Sequence, residues 1–124
     1  MPYQVDWNSD FVHVIYSGEI SNEEIRHAHY EVNNDSRFSK CPNLILDITD
    51  CKMERVEVPK LVGVAGLDLT NLKRRDGHKI IMLAKDPLNV QKAKTYIKLF
   101  KKLTPNIKLF HSVEEAIPWL NLSF

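Results

Sequence analysis

Residues 43–51 read NLILDITDC, an apolar run that closes on Asp47 and Asp50. A carboxylate at the C-terminal end of a parallel strand is a natural place for ligand or phosphoryl chemistry. Lys85, directly after the apolar run IIMLA, stands where a charge-neutralising lysine would be needed. A magnesium ion in such a site also asks for acidic ligands at the end of the first core strand. There the stretch IYSGEIS offers Glu19 alone, so the set is incomplete. Asp47 and Asp50 read instead as turn residues whose carboxylates accept hydrogen bonds from loop amides.

The other chemistry-bearing residues are equally dispersed. His27 and His29 lie two apart in a helical pattern, whereas a helical chelate needs a spacing of four. His13 falls inside a strand pattern, and His78 and His111 flank strands, so no metal site is expected. Cys41 and Cys51 are the only two cysteines and form no CxxC pair, which reads as two reduced thiols. Cys51 as a nucleophile would need a base and an orienting group, and the sequence supplies neither. Gly63 and Gly66, in LVGVAG, lie within a helical pattern rather than between a strand and a helix start, so they form no phosphate loop. Their expected use is to let that helix approach the sheet, another helix or an apolar ligand closely, at about 1 kcal/mol each in helix propensity. They are the candidate residues for a small apolar ligand. No cofactor is implied.

These residues sit on a chain of 124 residues with 44% hydrophobic and 27% charged residues, the composition of one globular domain spanning 1–124. No run approaches the roughly 18 apolar residues of a membrane span, and MPYQVDW has neither a basic nor an apolar leader region. A cytoplasmic location is the expectation. Residues 1–70 hold 6 basic against 12 acidic residues, while residues 71–110 hold 11 against 2. Such polarity steers association with a charged partner or a second copy of the chain. The run KRRDGHK and the lysines at 94, 98, 101 and 102 lack interleaved aromatics or a helix-turn-helix pattern, so nucleic acid is not an expected partner.

The elements follow from periodicity and caps. YQVDW alternates, NSD turns, and FVHVIYSG returns, giving a hairpin over residues 3–17. Ser21 and Glu24 form a capping box for a helix carrying Ile25, Ala28 and Val32. LILDI and KIIMLA are continuous apolar strands covered on both faces. A helix over about 58–75 begins at Pro59, carries Leu61, Val62, Ala65, Leu69 and Leu72 along one side, and stops at Asp76-Gly77. Asp86 caps a helix that starts at Pro87, with Val90, Ala93, Ile97 and Phe100 inward. NIKLFH is the last strand, and Ser112 with Glu115 caps a final helix in which Pro118 should kink the chain. The fold class is α/β: successive strand-helix units, a mostly parallel sheet of about five strands with an antiparallel N-terminal edge hairpin, and about four helices.

The initial hairpin, LILDITDC, the long helix after it, KIIMLA and the ending IKLFHSVEEAIPWL together resemble the STAS-like proteins of the anti-sigma-factor antagonist type, over roughly Tyr3 to Leu120. The resemblance implies an α/β fold and a role in binding proteins or small molecules rather than in catalysis. It also implies control by phosphorylation of a serine in a DSSG motif. Here the chain departs from the pattern, because that place reads Arg55-Val56-Glu57-Val58, with no hydroxyl. Thr49 is nearby but lies off the motif. The expected function is a non-enzymatic, homodimeric regulatory domain that binds a protein through Asp50, Glu54, Arg55, Glu57 and Lys60.

Overall fold

The computed structural model describes residues 2–41, 43–72, 79–101 and 106–120, with side chains in 69–72 left aside. Five strands form one sheet in the order β1-β2-β3-β4-β5. They are β1 (Tyr3–Trp7), β2 (Phe11–Glu19), β3 (Asn43–Lys52), β4 (Lys79–Leu83) and β5 (Ile107–Phe110). β1 pairs antiparallel with β2, and every later pair is parallel. The parallel strands are laid down in spatial order, so crossovers of one hand must all pass over the same face of the sheet. Helices α1 (Asn22–Asn34), α2 (Val62–Leu72) and α3 (Pro87–Lys101) lie on that side. The main core forms there, with Ile25 and Ala28, Val64 and Ala65, and Ala93, Tyr96 and Phe100 meeting Val12, Val14, Tyr16, Leu44, Leu46, Ile80 and Met82.

After β5 the chain is free to fold onto the opposite face, and α4 (Val113–Leu120) does so. It forms a smaller core in which Ala116 and Trp119 meet Ile45, Ile81 and Leu83. Lys79, the first residue of β4, is 1% exposed and donates from Nζ to the Trp119 and Leu120 carbonyls at 2.5 and 3.2 Å. It satisfies the open C-terminal end of α4 with a cation, as helix ends favour. One member of the KRRDGHK run is therefore interior. The rest of that run, with His78 and the Asp76-Gly77 stop, lies outside the described residues, as does Lys102.

Several local signals act as expected. Ser21 and Glu24 form the complete capping box of α1. Asp86 accepts from the Leu88 and Asn89 amides at the start of α3. Ser112 accepts from the Glu115 amide, but the Glu115 carboxylate reaches one residue further back, to the His111 amide at 2.7 Å, so the second box is shifted rather than closed. Helix α4 continues through Pro118. A 3-10 turn over Ser36–Lys40, which burial of Phe38 anchors, lies between α1 and β3 where the sequence pattern shows only a fading helix.

The helix after β3 corrects the expected phase. Val58–Leu61 form a 3-10 turn before α2 begins at Val62. In a 3-10 turn positions three apart eclipse each other, so Val58 and Leu61 both point inward and Val62 rotates away. Val62 is 55% exposed, and Val64, Ala65 and Asp68 supply the inward stripe in its place.

Candidate functional site: the segment after the third strand

Strand β3 does not end at Asp47. Ile15 stands opposite Asp47 and Ser17 opposite Asp50, so β3 carries one more residue than β2 over this interval and continues to Lys52. This is a β-bulge, and it moves the inward-facing set from Leu44, Leu46 and Ile48 to Cys51 and Met53. Asp47 holds the bulge together. Its Oδ1 accepts from the Thr49 amide at 3.0 Å and from the Thr49 hydroxyl at 2.7 Å, while Oδ2 lies 2.9 Å from His13 Nε2. Burial raises the pKa of this carboxyl, but the hydrogen bonds from His13 and Thr49 outweigh that cost and leave it below its ordinary value. Lys85 is exposed, and Glu19 pairs with Arg55 at 3.5 Å. Asp47 thus does the work of a turn carboxylate, now within a strand.

The four described histidines go to different partners. His13 meets Asp47, His27 meets the Tyr3 hydroxyl at 2.8 Å, His29 meets Asp68 at 2.7 Å, and His111 meets Glu115 at 3.3 Å. Among the described residues no three His, Cys, Asp or Glu side chains gather into a metal-holding group. The Cys51 thiol is buried and donates to the Ile48 carbonyl at 3.8 Å. Burial, then the charges of Asp47, Asp50 and Glu54, push its pKa up to about 12, so it has almost no thiolate with which to attack.

From Asp50 onward the chain alternates between anchoring and presenting. Met53, Val56, Val58 and Leu61 are buried. Asp50, Glu54, Arg55, Glu57 and Lys60 are all exposed. The backbone between the anchors is tied down from helix α3. Lys92 donates from Nζ to the Met53 and Val56 carbonyls, both at 2.6 Å, and Asn89 donates to the Ile48 and Cys51 carbonyls at 2.9 and 2.8 Å. Asn22, in the first turn of α1, makes a two-way clasp with the Glu57 backbone: its amide donates to the Glu57 carbonyl at 2.9 Å and its oxygen accepts from the Glu57 amide at 2.8 Å. Ion pairs Glu57–Lys60 and Arg55–Glu19 lie on the surface, with more than half of each side chain exposed, and contribute little to stability. They do set the charge pattern.

The five residues read from sequence as a partner surface are each exposed, on the stretch from Asp50 to Lys60. Sequence reasoning missed Asn22, Asn89 and Lys92, which hold it. The signal for the last two was their spacing of three on one side of α3, on the same arc as the inward Ala93 and Tyr96. For Gly63 and Gly66 the structure gives a correction. A Cβ built on either would meet no heavy atom within 4 Å, so neither glycine is there for close approach. The apolar cavity in this region is lined by Val58 and Leu61 and by neither glycine.

No protein-family model matches the chain, and no curated protein matches it. Solved structures do. The anti-sigma factor antagonist SpoIIAA in its unphosphorylated form superposes with a TM-score of 0.64 at 17% identity, covering 95% of each chain. This is the SpoIIAA-type fold. An anti-sigma factor antagonist from Mycobacterium paratuberculosis follows at 0.60 and 18% identity, covering 97% of this chain and 93% of its own. An uncharacterised protein with a SpoIIAA-like fold from Shewanella loihica superposes at 0.53 and 16% identity, covering 95% of this chain and 91% of its own. The STAS-like fold expected from the hairpin, LILDITDC and the IKLFHSVEEAIPWL ending is the fold observed. No helix among the described residues is long and apolar enough to cross a membrane.

Proposed function

We propose that this chain is a non-enzymatic regulatory domain of the cytoplasm, acting as a homodimer that binds a protein partner through the exposed ridge of the 50–61 segment. One observation carries the reading. Alternate residues of the segment are buried, its carbonyls are held by Lys92 and Asn89, and what remains on the outside is a fixed pattern of charge at Asp50, Glu54, Arg55, Glu57 and Lys60. A surface ordered before binding loses less entropy on association, and alternating charge favours one partner and register over others. The same ridge holds no nucleophile, base and orienting group in sequence with one another. Serine phosphorylation in the usual motif is not part of this reading, since Arg55 to Val58, in the motif's place, carry no hydroxyl.

A carrier of a lipid-sized molecule built around Gly63 and Gly66 is less well supported. Sites for drug-sized ligands enclose about 300 Å³ or more, and the cavity beneath the segment measures about 30 Å³.

The test is co-purification of the tagged chain from cells of its source, with Arg55→Glu/Lys60→Glu as the comparison. A stoichiometric protein that is retained by the parent and lost from the double variant supports the proposal. Recovery of the chain alone, or of a protein retained equally by both, overturns it.

A further inference from the structure

The sheet ends at β5, and among the described residues no strand pairs with its outer edge. The Asn106 and Phe110 carbonyls accept from the Ile80 and Ala84 amides, at 2.9 and 3.1 Å, on the β4 side. In an extended strand the groups that face one neighbour recur at every second residue, so the N–H and C=O of the intervening Leu109 turn outward. Such an edge is a template for one more strand. It forms the floor of an open groove of about 650 Å³, walled by Lys94, Ile97 and Lys101 of α3 on one side and by Pro118 and Trp119 of α4 on the other. The side chains of β5 alternate between these walls. Ile107 and Leu109 pack with the α3 core, whereas Phe110 packs with the α4 core and Lys108 lies over the Trp119 ring, 4.9 Å from its centroid. The groove is apolar within and basic around its rim. Lys94, Lys101 and Lys108 are exposed, and none meets a carboxylate among the described residues. The one acid of the lining, Glu115, is engaged by His111, whose amide donates to it at 2.7 Å and whose Nδ1 lies 3.3 Å away. A single lysine on an edge strand deters pairing. Three around an apolar floor select the charge of what pairs.

We propose that this groove is the docking site of an extended, acidic segment of a partner protein, which adds to β5 as a strand. Its apolar side chains seat toward Ile97 and Trp119, and its carboxylates meet Lys94, Lys101 and Lys108. The alternation of β5 between two walls fits a chain of the same period, because successive side chains of an added strand fall on opposite walls. A helix lacks that period and keeps its own backbone groups paired internally, so it would leave the outward groups of Leu109 without partners. The unpaired lysines favour an acidic chain and oppose a basic one, which sets the sign of the partner. An anionic bilayer would satisfy the lysines of the rim but not the strand edge recessed between two helices. No residue of the 50–61 segment lines the groove, and neither surface depends on the other. A domain with both can hold two partner segments at once.

The experiment titrates the full chain into dye-labelled octapeptides that alternate aspartate or glutamate with leucine, valine, phenylalanine or tyrosine, read by fluorescence anisotropy at about 50 mM salt. Two control sets replace the acidic residues by lysine or the apolar ones by serine. The tightest acidic peptides should half-saturate at or below about 100 µM, and both control sets should bind at least about tenfold more weakly. Lys94→Glu/Lys101→Glu changes only exposed positions. It should weaken the tightest peptide by about tenfold or more, with a melting temperature within about 2 °C of the parent. Methylating one alternate set of the peptide's backbone amides should weaken it at least about fivefold, and methylating the other set should not, because only one set faces β5. Failure of every acidic peptide to half-saturate by about 100 µM overturns the site. Equal binding of either control set overturns its chemistry, and equal tolerance of both methylated sets overturns the strand pairing. Vesicles of equal parts phosphatidylserine and phosphatidylcholine that retain the parent but not Lys94→Glu/Lys101→Glu, while no peptide binds, would assign the lysines to a membrane and overturn the docking strand. Should that variant fail to fold, peptide affinity of the parent unchanged between about 50 and 500 mM salt overturns the charge selection, and a fall supports it. Arg55→Glu/Lys60→Glu should bind the peptides as the parent does. Loss of peptide binding in that variant would move the site to the 50–61 segment, so the two surfaces stand or fall separately.

Discussion

Asp47 shows how one residue type serves two ends that a sequence does not separate. A carboxylate after an apolar run is read as a strand terminator or as a reactive group, and here it is neither. It fills the donor-rich gap that the bulge opens, taking the Thr49 amide and hydroxyl on one oxygen and His13 on the other. The expected consequence is a signed dependence on pH. Its folded pKa lies below the unfolded value of about 3.9. Its contribution is thus complete above that value and disappears as pH falls through the folded pKa. Asp47→Asn lacks this contribution at every pH. Urea unfolding of parent and variant should differ by a constant amount above about pH 5, and the two should converge below about pH 4. A gap that widens on acidification would show that burial, not hydrogen bonding, dominates the site. The bulge itself was illegible, because nothing in the types Ile48, Thr49 and Asp50 marks an extra residue; only pairing with β2 reveals it.

At the scale of elements, the sequence was most legible where a side chain bonds to backbone a few residues away. The Ser21–Glu24 box and the Asp86-Pro87 start are local events, and both stand where the pattern puts them. The β1–β2 hairpin and the apolar β3 and β4 were equally readable, since alternation and unbroken runs reflect how many faces are covered. Elements set by distant contacts were not. The 3-10 turn at Val58–Leu61 follows directly on the Val56 carbonyl held by Lys92 and the Glu57 backbone clasped by Asn22, and that turn rotates Val62 out of the core. Gly63 was misread for the same reason, since open space around a helix cannot be seen from its sequence. With Gly63 exposed and its Cβ position empty, Gly63→Ala removes a helix penalty without a clash. It should raise stability by about 0.5–1 kcal/mol, measured as a shift of the urea midpoint at unchanged slope. A loss of stability would mean that the position is closely approached after all.

For the whole molecule, the arrangement divides labour across a single stretch of chain. The inner side of the 50–61 segment belongs to the core and to the polar anchors on α1 and α3, while the outer side carries charges whose ion pairs are too exposed to stabilise the fold. Folding and recognition should therefore respond to different substitutions. Arg55→Glu/Lys60→Glu changes only outward charge. Its melting temperature is expected within about 2 °C of the parent, the scale of a few tenths of a kcal/mol in a chain this size, while partner binding falls by at least about tenfold. Lys92→Met keeps the apolar stem but removes the ammonium from the Met53 and Val56 carbonyls. It is expected to cost about 1–3 kcal/mol, the range for charged hydrogen bonds to half-buried groups, and to weaken binding as well, because the ridge loses its fixed shape. Thermal melts of both variants beside one binding assay compare the two sides directly. Were the charge reversal to unfold the chain, or were Lys92→Met to leave both stability and binding untouched, the segment would not be a surface ordered from within.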